Sequence, residues 1–299
     1  MNDLLAKSGL VIVDKPEGMT SHDVVGKLRR IFGTRKIGHA GTLDPLATGV
    51  LVLGVERGTK FLSHMTAATK AYTATIRLGV RTDTDDCEGN IIEKIDARAA
   101  HLSDHDIVQA TQSFVGDIMQ RPAAVSAIKV AGKRAYQLVR EGQKVELAPR
   151  PIRITAFDVL ARRDGDDYID LDVAVECSSG TYIRSLARDL GEKLEVGGSI
   201  IALRRTAVGA FTLADARTLE ELSAHASLSL TLDHALQRCY PIMRVTPQEA
   251  HDLSMGKWLE PRGLHGVHAA VDENGHSIAL VKESKTRLAT VFVARPSTL

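Results

Sequence analysis

Short apolar runs separated by glycine, proline and charged residues mark the first elements of the chain. Residues 10–13 are uniformly apolar, which is typical of a buried strand. Apolar residues then recur at helical spacing over residues 24–32, after two hydroxyl residues, Thr20 and Ser21, that can cap a helix. Gly33 is a natural end for this helix, because glycine readily adopts the left-handed conformation found there. The pattern predicts a buried strand followed by an amphipathic helix.

Alternation of apolar and polar residues predicts strands further along the chain. Residues 72–78 alternate, which indicates a strand with one buried face. Residues 151–162 and 168–176 are rich in apolar and β-branched residues and flank a polar turn around Gly165, so they predict an antiparallel hairpin. Since hairpins and helices are mixed, we expect the α+β fold class. Two further helices are predicted, over residues 103–115 and 181–194.

The C-terminal part has a different pattern. From residue 241 onward, short apolar runs alternate with glycine and Asp-Glu-Asn-Gly turns, which predicts a small β-rich domain with Trp258 and Phe292 in its core. A chain of 299 residues is long enough for two domains. We therefore predict one domain over residues 1–240 and a second over residues 241–299.

Composition narrows the class of protein. Hydrophobic residues make up 44% of the chain and charged residues 25%, as in globular proteins that are soluble. The three cysteines lie far apart and form no CxxC pair, so neither a zinc site nor a disulfide framework is indicated. The sequence shows neither a signal-peptide pattern nor an apolar run long enough to cross a membrane. We expect a cytoplasmic protein that does not bind a membrane.

Charge is segregated although the formal net charge is only +1. Between Lys27 and Lys36 there are five basic residues and no acidic ones, and residues 121–153 contain eight basic and two acidic residues. Residues 83–106 contain eight acidic and two basic residues, and we expect them to form an outward face or a surface that repels the RNA backbone. Basic stretches on an otherwise balanced protein favour contact with a polyanion such as RNA, although most charge runs are only solvated surface.

The segment of residues 38–49 is the candidate for chemistry. Its glycine and proline residues impose a specific path, and we expect a loop between the predicted helix and a strand over residues 50–55. Asp44 and His39 could supply acid–base or nucleophilic chemistry. By spacing alone the signal is weak, because an aspartate before Pro45 equally fits a cap or turn residue.

Five ordered segments resemble the TruB family of tRNA pseudouridine synthases. The segment GHAGTLDPLATGVLVLGVERGTK is similar to the catalytic motif of that family. The resemblance extends over roughly residues 9–215. The other similar segments are VDKPEGMTSHDVV, KAYTATIRLGVRTDTDDCEG, CSSGTYIRSLARDLG and LRRTAVGAF.

The resemblance implies an activity and a fold. It implies conversion of uridine to pseudouridine at position 55 in the T-loop of tRNA, with Asp44 as the essential carboxylate. It also implies a mixed, largely antiparallel sheet of the pseudouridine synthase type, flanked by helices. Attack on the sugar, removal of a sugar proton and attack on the base all remain open as routes. Since the reaction is an isomerisation, we expect neither a cofactor nor a metal.

Residue roles follow from the matched motifs. Arg184 matches the arginine that pairs with the catalytic carboxylate, and Tyr72 matches the tyrosine that stacks on the target base. His39 matches the histidine that occupies the space left when the uridine flips out of its stack, a step that a buried base requires. Tyr182 and Leu203 match residues that line the uracil pocket.

Further contacts are expected from lysines and from an insertion. Lys70 is expected to contact phosphate. Lys15, with Pro16, matches a motif that supports the active-site loop, and we place it among the residues near the RNA. Residues 120–153 match a thumb that closes over the T-arm and is typical of members that act without a guide RNA. We expect RNA contact there from Lys129, Lys133 and Arg134.

The resemblance also concerns the C-terminal part of the chain. The C-terminal part is similar to a small PUA-like RNA-binding module. Its seven basic and six acidic residues nearly balance, so its charge does not indicate RNA contact.

We expect tRNA as the partner and a monomer as the active form. One alternative is a tRNA-folding chaperone whose binding role outweighs catalysis. A glycoside-hydrolase-like enzyme is disfavoured, because no second carboxylate has motif support beside Asp44.

Overall fold

The computed structural model describes most of the chain. The described residues are 3–65, 68–97, 101–125, 129–130, 132–135, 138, 141, 143, 145 and 147–298. The α-helices are α1 (Asp3–Ala6), α2 (Ser21–Ile31), α3 (Gly58–Phe61), α4 (Asp104–Gln112), α5 (Ile183–Lys193), α6 (Leu219–Ala224), α7 (Leu232–Cys239) and α8 (Pro247–Ser254). Two 3-10 helices cover Leu62–His64 and Leu213–Asp215.

The strands alternate with these helices along the chain. In the first half they are β1 (Gly9–Lys15), β2 (Ile37–Ala40), β3 (Thr48–Val55), β4 (Lys70–Leu78), β5 (Val80–Thr82), β6 (Ile91–Lys94), β7 (Gly116–Gln120), β8 (Lys129–Val130) and β9 (Lys133–Arg134). In the second half they are β10 (Arg150–Asp164), β11 (Ile169–Cys177), β12 (Gly198–Val208), β13 (Phe211–Thr212), β14 (Leu230–Thr231), β15 (Ile242–Arg244), β16 (Val267–Val271), β17 (Ser277–Glu283) and β18 (Leu288–Val293).

The chain folds into two compact units. The first unit comprises Met1–Pro45, Gly49–Thr66 and Val208–Leu299, and the second comprises Leu46–Thr48 and Ala67–Ala207. The C-terminal sheet therefore clusters with the N-terminal strands. The predicted division into residues 1–240 and 241–299 stays a prediction.

The first unit is built on a small antiparallel sheet. Strand β1 lies between β14 and β3, and β2 pairs with residues 52–55 on the other edge of β3. Residues 10–13 are fully buried, which confirms the buried strand that the apolar run predicts. The expected loop over residues 38–49 is wrong at both ends, because residues 38–40 pair with β3 as part of β2 and β3 itself begins at Thr48.

Helix α2 begins and ends as the sequence predicts. The Thr20 side chain accepts a hydrogen bond from the Asp23 backbone N–H, and the Asp23 carboxylate accepts one from the Thr20 N–H, so a capping box closes its first turn. At the other end Gly33 has a φ of 64°, and the Thr34 N–H donates to the carbonyl of Arg29 over 3.2 Å. This is the Schellman arrangement, which requires the left-handed residue that glycine supplies.

The C-terminal sheet has the order β15–β16–β17–β18. Strand β15 runs parallel to β16, and the other pairs are antiparallel. Helix α8 buries Leu253 against apolar residues of this sheet. The predicted small β-rich C-terminal part is confirmed, but Trp258 is 52% exposed and does not belong to its core.

Side chains of the first unit attach this sheet to the N-terminal elements. Phe292 is buried, and its ring centroid lies 6.0 Å from that of Phe61 and 5.6 Å from that of His64. The Arg57 guanidinium donates to the carbonyls of Val293 and Ala294. Phe292 therefore covers the α3 region instead of filling a separate C-terminal core.

The second unit contains five neighbouring strands in the order β12–β4–β11–β10–β7. The predicted hairpin is formed by β10 and β11, and β4 pairs antiparallel with β11. Tyr72, Ala74, Ile76 and Leu78 are buried, as the alternation predicts. The α+β class with a largely antiparallel sheet core is confirmed.

Part of the predicted thumb lies outside the described residues. Strands β8 and β9 form a short antiparallel hairpin within it, with Lys129 opposite Arg134 and Val130 opposite Lys133. The side chains of Lys129, Lys133 and Arg134 lie outside the described part, so their RNA contacts stay predictions. Among the residues described here, no helix is both long and apolar enough to cross a membrane.

Candidate active site

Asp44 is a half-buried residue of the segment that connects β2 to β3. Its position is controlled through its two neighbours, Leu43 and Pro45. The hydroxyl of Ser21 in α2 accepts a hydrogen bond from the Leu43 N–H over 2.8 Å and donates to the Leu43 carbonyl over 3.1 Å. Since Ser21 is itself buried, water does not compete for these bonds.

Lys15 holds Pro45, the other neighbour of Asp44, through a hydrogen bond. Its side chain is fully buried, and its ammonium donates to the carbonyls of Pro16, Met19 and Pro45 over 2.8, 2.6 and 3.2 Å. Three acceptors match the three hydrogens of an ammonium, which a buried lysine needs. The Gly18 N–H also donates to the Pro45 carbonyl over 2.9 Å. The structure thus gives Lys15 a supporting part under the loop, and contact of Lys15 with RNA stays a prediction.

His39 lies on strand β2, opposite Leu53 of β3. The pairing of β2 with β3 fixes the backbone of His39, which stands five residues before Asp44 in the sequence. Gly41 follows with a φ of 82°, a conformation that L side chains rarely adopt. The first unit therefore carries His39 and Asp44 on one continuous segment, and Lys15 at the end of β1 supports that segment through the Pro45 carbonyl.

Arg184, in the first turn of α5, forms the centre of the site residues in the second unit. Its guanidinium donates to the carbonyls of Thr84 and Val125 over 2.8 and 2.9 Å and forms an ion pair with Asp86 at 3.2 Å. Only 5% of the Arg184 side chain and 4% of the Asp86 side chain are exposed. Such a pair is held in one orientation, since each charge needs the other in a dry environment.

The Asp86 carboxylate is oriented in turn by its own segment. It accepts hydrogen bonds from the Thr84 hydroxyl over 2.6 Å and from the Glu88 N–H over 3.1 Å. The expectation that residues 83–106 form an outward face is therefore wrong at Asp86. The charge count could not reveal this, because the compensating arginine lies far away along the sequence.

A second carboxylate–arginine contact lies beside the first. Arg188 donates to Asp85 over 3.0 Å, to the neighbouring Asp189 over 2.7 Å and to the carbonyl of Arg121 over 2.8 Å. Burial raises the pKa of Asp85 to about 6, although the positive charges of Arg188 and Arg184 lower it. Burial likewise raises the pKa of Asp189, against the lowering effect of Arg188. Sequence reasoning missed Asp85, Asp86 and Arg188, although both aspartates stand in the segment KAYTATIRLGVRTDTDDCEG.

Tyr72 and Lys70 lie two residues apart on β4, opposite Val175 and Cys177 of β11. Tyr72 is 7% exposed, so its ring is largely packed. Burial lowers the pKa of Lys70, and the charge of Arg205 lowers it further. The Lys70 ammonium donates to the carbonyl of Ala68 over 3.2 Å, and its phosphate contact stays a prediction.

Gln120 fixes the residue that precedes α5. Its side-chain carbonyl accepts from the Tyr182 N–H over 2.9 Å, and its amide donates to the Tyr182 carbonyl over 3.0 Å. The predicted pocket residue Tyr182 therefore has a fixed backbone, and Gln120 is another residue that sequence reasoning missed. Leu203, the other predicted pocket residue, is a buried residue of β12.

The described residues offer no obvious metal centre. None of their histidine, cysteine, aspartate and glutamate side chains form a group of three or more that could hold a metal ion. The three cysteines are free thiols. Burial raises the pKa of the Cys177 thiol to about 11, which keeps it protonated and unreactive at neutral pH.

The fold is shared with chains of two solved complexes. A chain of a Cbf5–Nop10–Gar1 complex matches with a TM-score of 0.74 at 23% identity, over 98% of this chain and 87% of that chain. A chain of an H/ACA ribonucleoprotein bound to a substrate RNA containing 2′-deoxyuridine matches with a TM-score of 0.73 at 22% identity, with the same coverage. At this identity the likeness shows the fold alone.

Family models define the class as pseudouridylate synthases. The N-terminal domain of the TruB family pseudouridylate synthases matches residues 29–183, about half of the chain. A tRNA pseudouridylate synthase B C-terminal domain matches residues 184–240, and the C-terminal domain of tRNA pseudouridine synthase II matches residues 240–295. The chain belongs to the TruB family, which confirms the resemblance seen in its sequence.

Relatives of high identity span the whole chain. The tRNA pseudouridine synthase B of Corynebacterium diphtheriae is 65% identical over 300 residues, which is 100% of both chains. The protein of the same name from Rhodococcus jostii is 54% identical, over 99% of this chain and 96% of its own. That from Mycobacteroides abscessus is 55% identical over 100% of both chains.

Proposed function

We propose that this chain isomerises uridine to pseudouridine in tRNA, at position 55 in the T-loop, with Asp44 as the catalytic carboxylate. Relatives that match its full length at 54–65% identity carry the name tRNA pseudouridine synthase B. The observation that carries the role of Asp44 is the fixation of both its neighbours, Leu43 by Ser21 and Pro45 by Lys15. A carboxylate that acts on one atom must be aimed, and a braced backbone aims it.

The reaction redistributes bonds within one nucleotide. The bond between N1 of uracil and C1′ of ribose breaks, a bond between C5 and C1′ forms, C5 loses its hydrogen and N1 gains one. Atoms and electrons balance without a redox partner. Attack on the sugar, removal of a sugar proton and attack on the base all need an ionised Asp44 carboxylate in a pocket that excludes water.

Arg184 is proposed to pair with the Asp44 carboxylate. A cation near a desolvated carboxylate favours its ionised form. The support for this role is that Asp86 and two backbone carbonyls already orient the guanidinium. In the same proposal Tyr72 stacks on the flipped uracil, Tyr182 and Leu203 line its pocket, and His39 fills the place that the base has left.

The finer features of substrate use belong to the same proposal. The chain acts on tRNA directly, without a guide RNA, as a monomer and in the cytoplasm. RNA shape then governs recognition more than base sequence does, since a folded loop is read mainly through its backbone and its splayed bases.

An Asp44→Asn variant tests the role of the carboxylate. We expect pseudouridine formation in an unmodified tRNA transcript to be lost while tRNA binding is retained, because asparagine keeps the shape and removes the charge. Pseudouridine is mapped in the T-loop, and the Kd for tRNA is measured on the same preparation. An Asp158→Asn variant makes the same change at an exposed position of β10 and should behave as the wild type.

The outcomes separate catalysis from folding of RNA. Full activity of Asp44→Asn would exclude Asp44 as the catalytic residue. A wild-type protein that binds tRNA and forms no pseudouridine in the T-loop would instead favour the chaperone alternative.

A further inference from the structure

The C-terminal end of α2 and the turn after it carry a basic surface of the first unit. We define the α2 basic patch as Lys27, Arg29, Arg30, Arg35 and Lys36, all of which are exposed. No acidic residue stands between Lys27 and Lys36 in the sequence. The patch therefore concentrates five positive charges on a chain whose formal net charge is +1.

Most cations of this patch lack a carboxylate partner. Lys36 lies 3.5 Å from Glu56, and Arg29 donates to the carbonyl of Ile37 over 3.3 Å. Among the residues that the structure describes, no acidic side chain lies within ion-pair distance of the other three members. Many arginines elsewhere do have such partners: Arg77 with Asp170, Arg162 with Asp104, Arg238 with Asp215 and Arg295 with Asp233.

Two shallow depressions lie at the patch. One depression is lined by Gly26, Arg29, Arg30, Gly33, Thr34 and Arg35. A neighbouring one is lined by Lys27, Arg30, Ile31, Leu219, Glu220 and Ser223. Arg30 belongs to both, so the two depressions adjoin, and the basic residues are concentrated in the first because the second also contains Glu220.

The backbone under the patch is preorganised. The Thr34 N–H is bound to the carbonyl of Arg29, and the Lys36 N–H donates to the Thr34 hydroxyl over 3.2 Å. The Thr34 hydroxyl also donates to the Glu56 carboxylate, and the Glu56 N–H donates to the Lys36 carbonyl over 2.8 Å. A site whose backbone is fixed beforehand loses less entropy when it binds.

The same helix links the patch to the candidate catalytic loop. Ser21, in the first turn of α2, holds Leu43 next to Asp44, and the patch lies at the other end of the helix. A helix of 11 residues is about 16 Å long, so the patch lies too far away to touch the nucleotide above Asp44.

We infer that the α2 basic patch binds phosphates of the substrate RNA that flank the modified nucleotide. This inference rests on the proposed function, because that function makes RNA the substrate. Phosphate contacts fix the orientation of a nucleic acid without reading its sequence. The competing explanation is that Arg29 and Arg30 only stabilise the C-terminal end of the helix dipole, which predicts an effect on stability and none on RNA affinity.

The test is an Arg30→Gln/Arg35→Gln double variant, which leaves the bonds of Arg29 and Lys36 in place. The Kd for an unmodified tRNA transcript is measured across salt concentrations of about 50 to 200 mM. We expect Kd to rise about tenfold at low salt, and the slope of log K against log salt to become less steep by about 1.5, because two phosphate contacts are lost. The turnover rate at saturating tRNA should stay unchanged.

A Lys94→Gln/Lys193→Gln variant is the matched control. It removes the same charge from exposed positions of the second unit, and it should leave the slope unchanged. Equal slopes for the patch variant and the wild type would overturn the inference, as would an equal loss in the control. A fall in melting temperature with unchanged tRNA affinity would assign the arginines to the helix alone. Failure of the proposed function is distinguishable, because the wild type would then bind tRNA without forming pseudouridine.

Discussion

Arg184 illustrates how one buried cation is positioned by groups that the sequence keeps far apart. Its partners Thr84 and Val125 stand 100 and 59 residues away, and Asp86 balances its charge. Removing one partner of a buried pair leaves the other charge uncompensated, which costs about 3–5 kcal/mol.

An Asp86→Asn variant should therefore lose both stability and turnover. We expect a lower free energy of unfolding and a drop in kcat of at least about tenfold, with KM for tRNA little changed, because the guanidinium loses its orientation. Urea denaturation and steady-state kinetics check this. Asp83→Asn changes an exposed aspartate of the same segment and serves as the control. A purely KM effect would contradict a positioning role.

Asp85 makes the stability of the protein depend on pH. The pKa of its carboxyl is about 6 in the folded protein, above the value of 3.8 for an unperturbed group, because burial disfavours the charge. The folded state thus binds the proton more tightly than the unfolded state does. The stabilisation from the protonated group is fully present below the unfolded pKa and is lost as pH rises through about 6.

An Asp85→Asn variant removes this dependence. We expect the free energy of unfolding of the variant to rise relative to that of the wild type as pH increases from about 4 to about 6. Above that range the difference between the two proteins should be constant. Urea denaturation at several pH values measures it. Asp189, whose pKa is also raised, is present in both proteins and contributes its own dependence on pH. A difference that is independent of pH would contradict the assignment.

At the scale of elements, α2 carries different features at its two ends. Its first turn holds the loop of Asp44 through Ser21, and its last turn carries basic residues. A short polar contact thus sets where a whole loop lies relative to a helix.

A Ser21→Ala variant tests this connection. The Leu43 N–H and carbonyl lose their partner, which costs about 1–3 kcal/mol and releases the backbone beside Asp44. We expect kcat to fall about tenfold or more while Kd for tRNA stays near the wild-type value. The control is Ser223→Ala, since the hydroxyl of Ser223 donates to the Leu219 carbonyl within its own helix. A wild-type kcat would show that the loop holds Asp44 without Ser21.

At the scale of the molecule, the C-terminal sheet forms part of the first compact unit. Phe292 packs on Phe61 and His64, and Arg57 is bound to carbonyls at the end of the chain. Contacts of this kind couple the stability of the sheet to that of the N-terminal strands.

Phe292→Ala should destabilise the whole first unit. Truncation of a buried phenylalanine costs about 3 kcal/mol or more, and the residue is 8% exposed. We expect a single unfolding transition shifted to lower urea, followed by fluorescence and circular dichroism. Val291→Ala, at the adjacent exposed position, should change stability by less than about 0.5 kcal/mol. A separate early transition in Phe292→Ala would instead show that the sheet unfolds independently.

The sequence by itself determined the elements whose causes are local. The capping residues Thr20 and Asp23 and the glycine at position 33 bound α2, and alternation predicted β4, because helix caps and pleats depend on neighbouring residues. The ordered motifs also identified the family and placed Asp44 in its loop.

Only the tertiary structure decided which distant residues meet. The sequence predicts a loop at residues 38–40, but these residues form a strand, because their hydrogen-bond partners belong to β3. The charge pattern predicts that Asp86 lies on the surface, but Asp86 is buried. Arg184 compensates its charge, and no local pattern connects these two residues. Lys15 is a further example, because it supports the loop by binding the Pro45 carbonyl. These two residues are 30 positions apart in the sequence, and only folding brings donor and acceptor together.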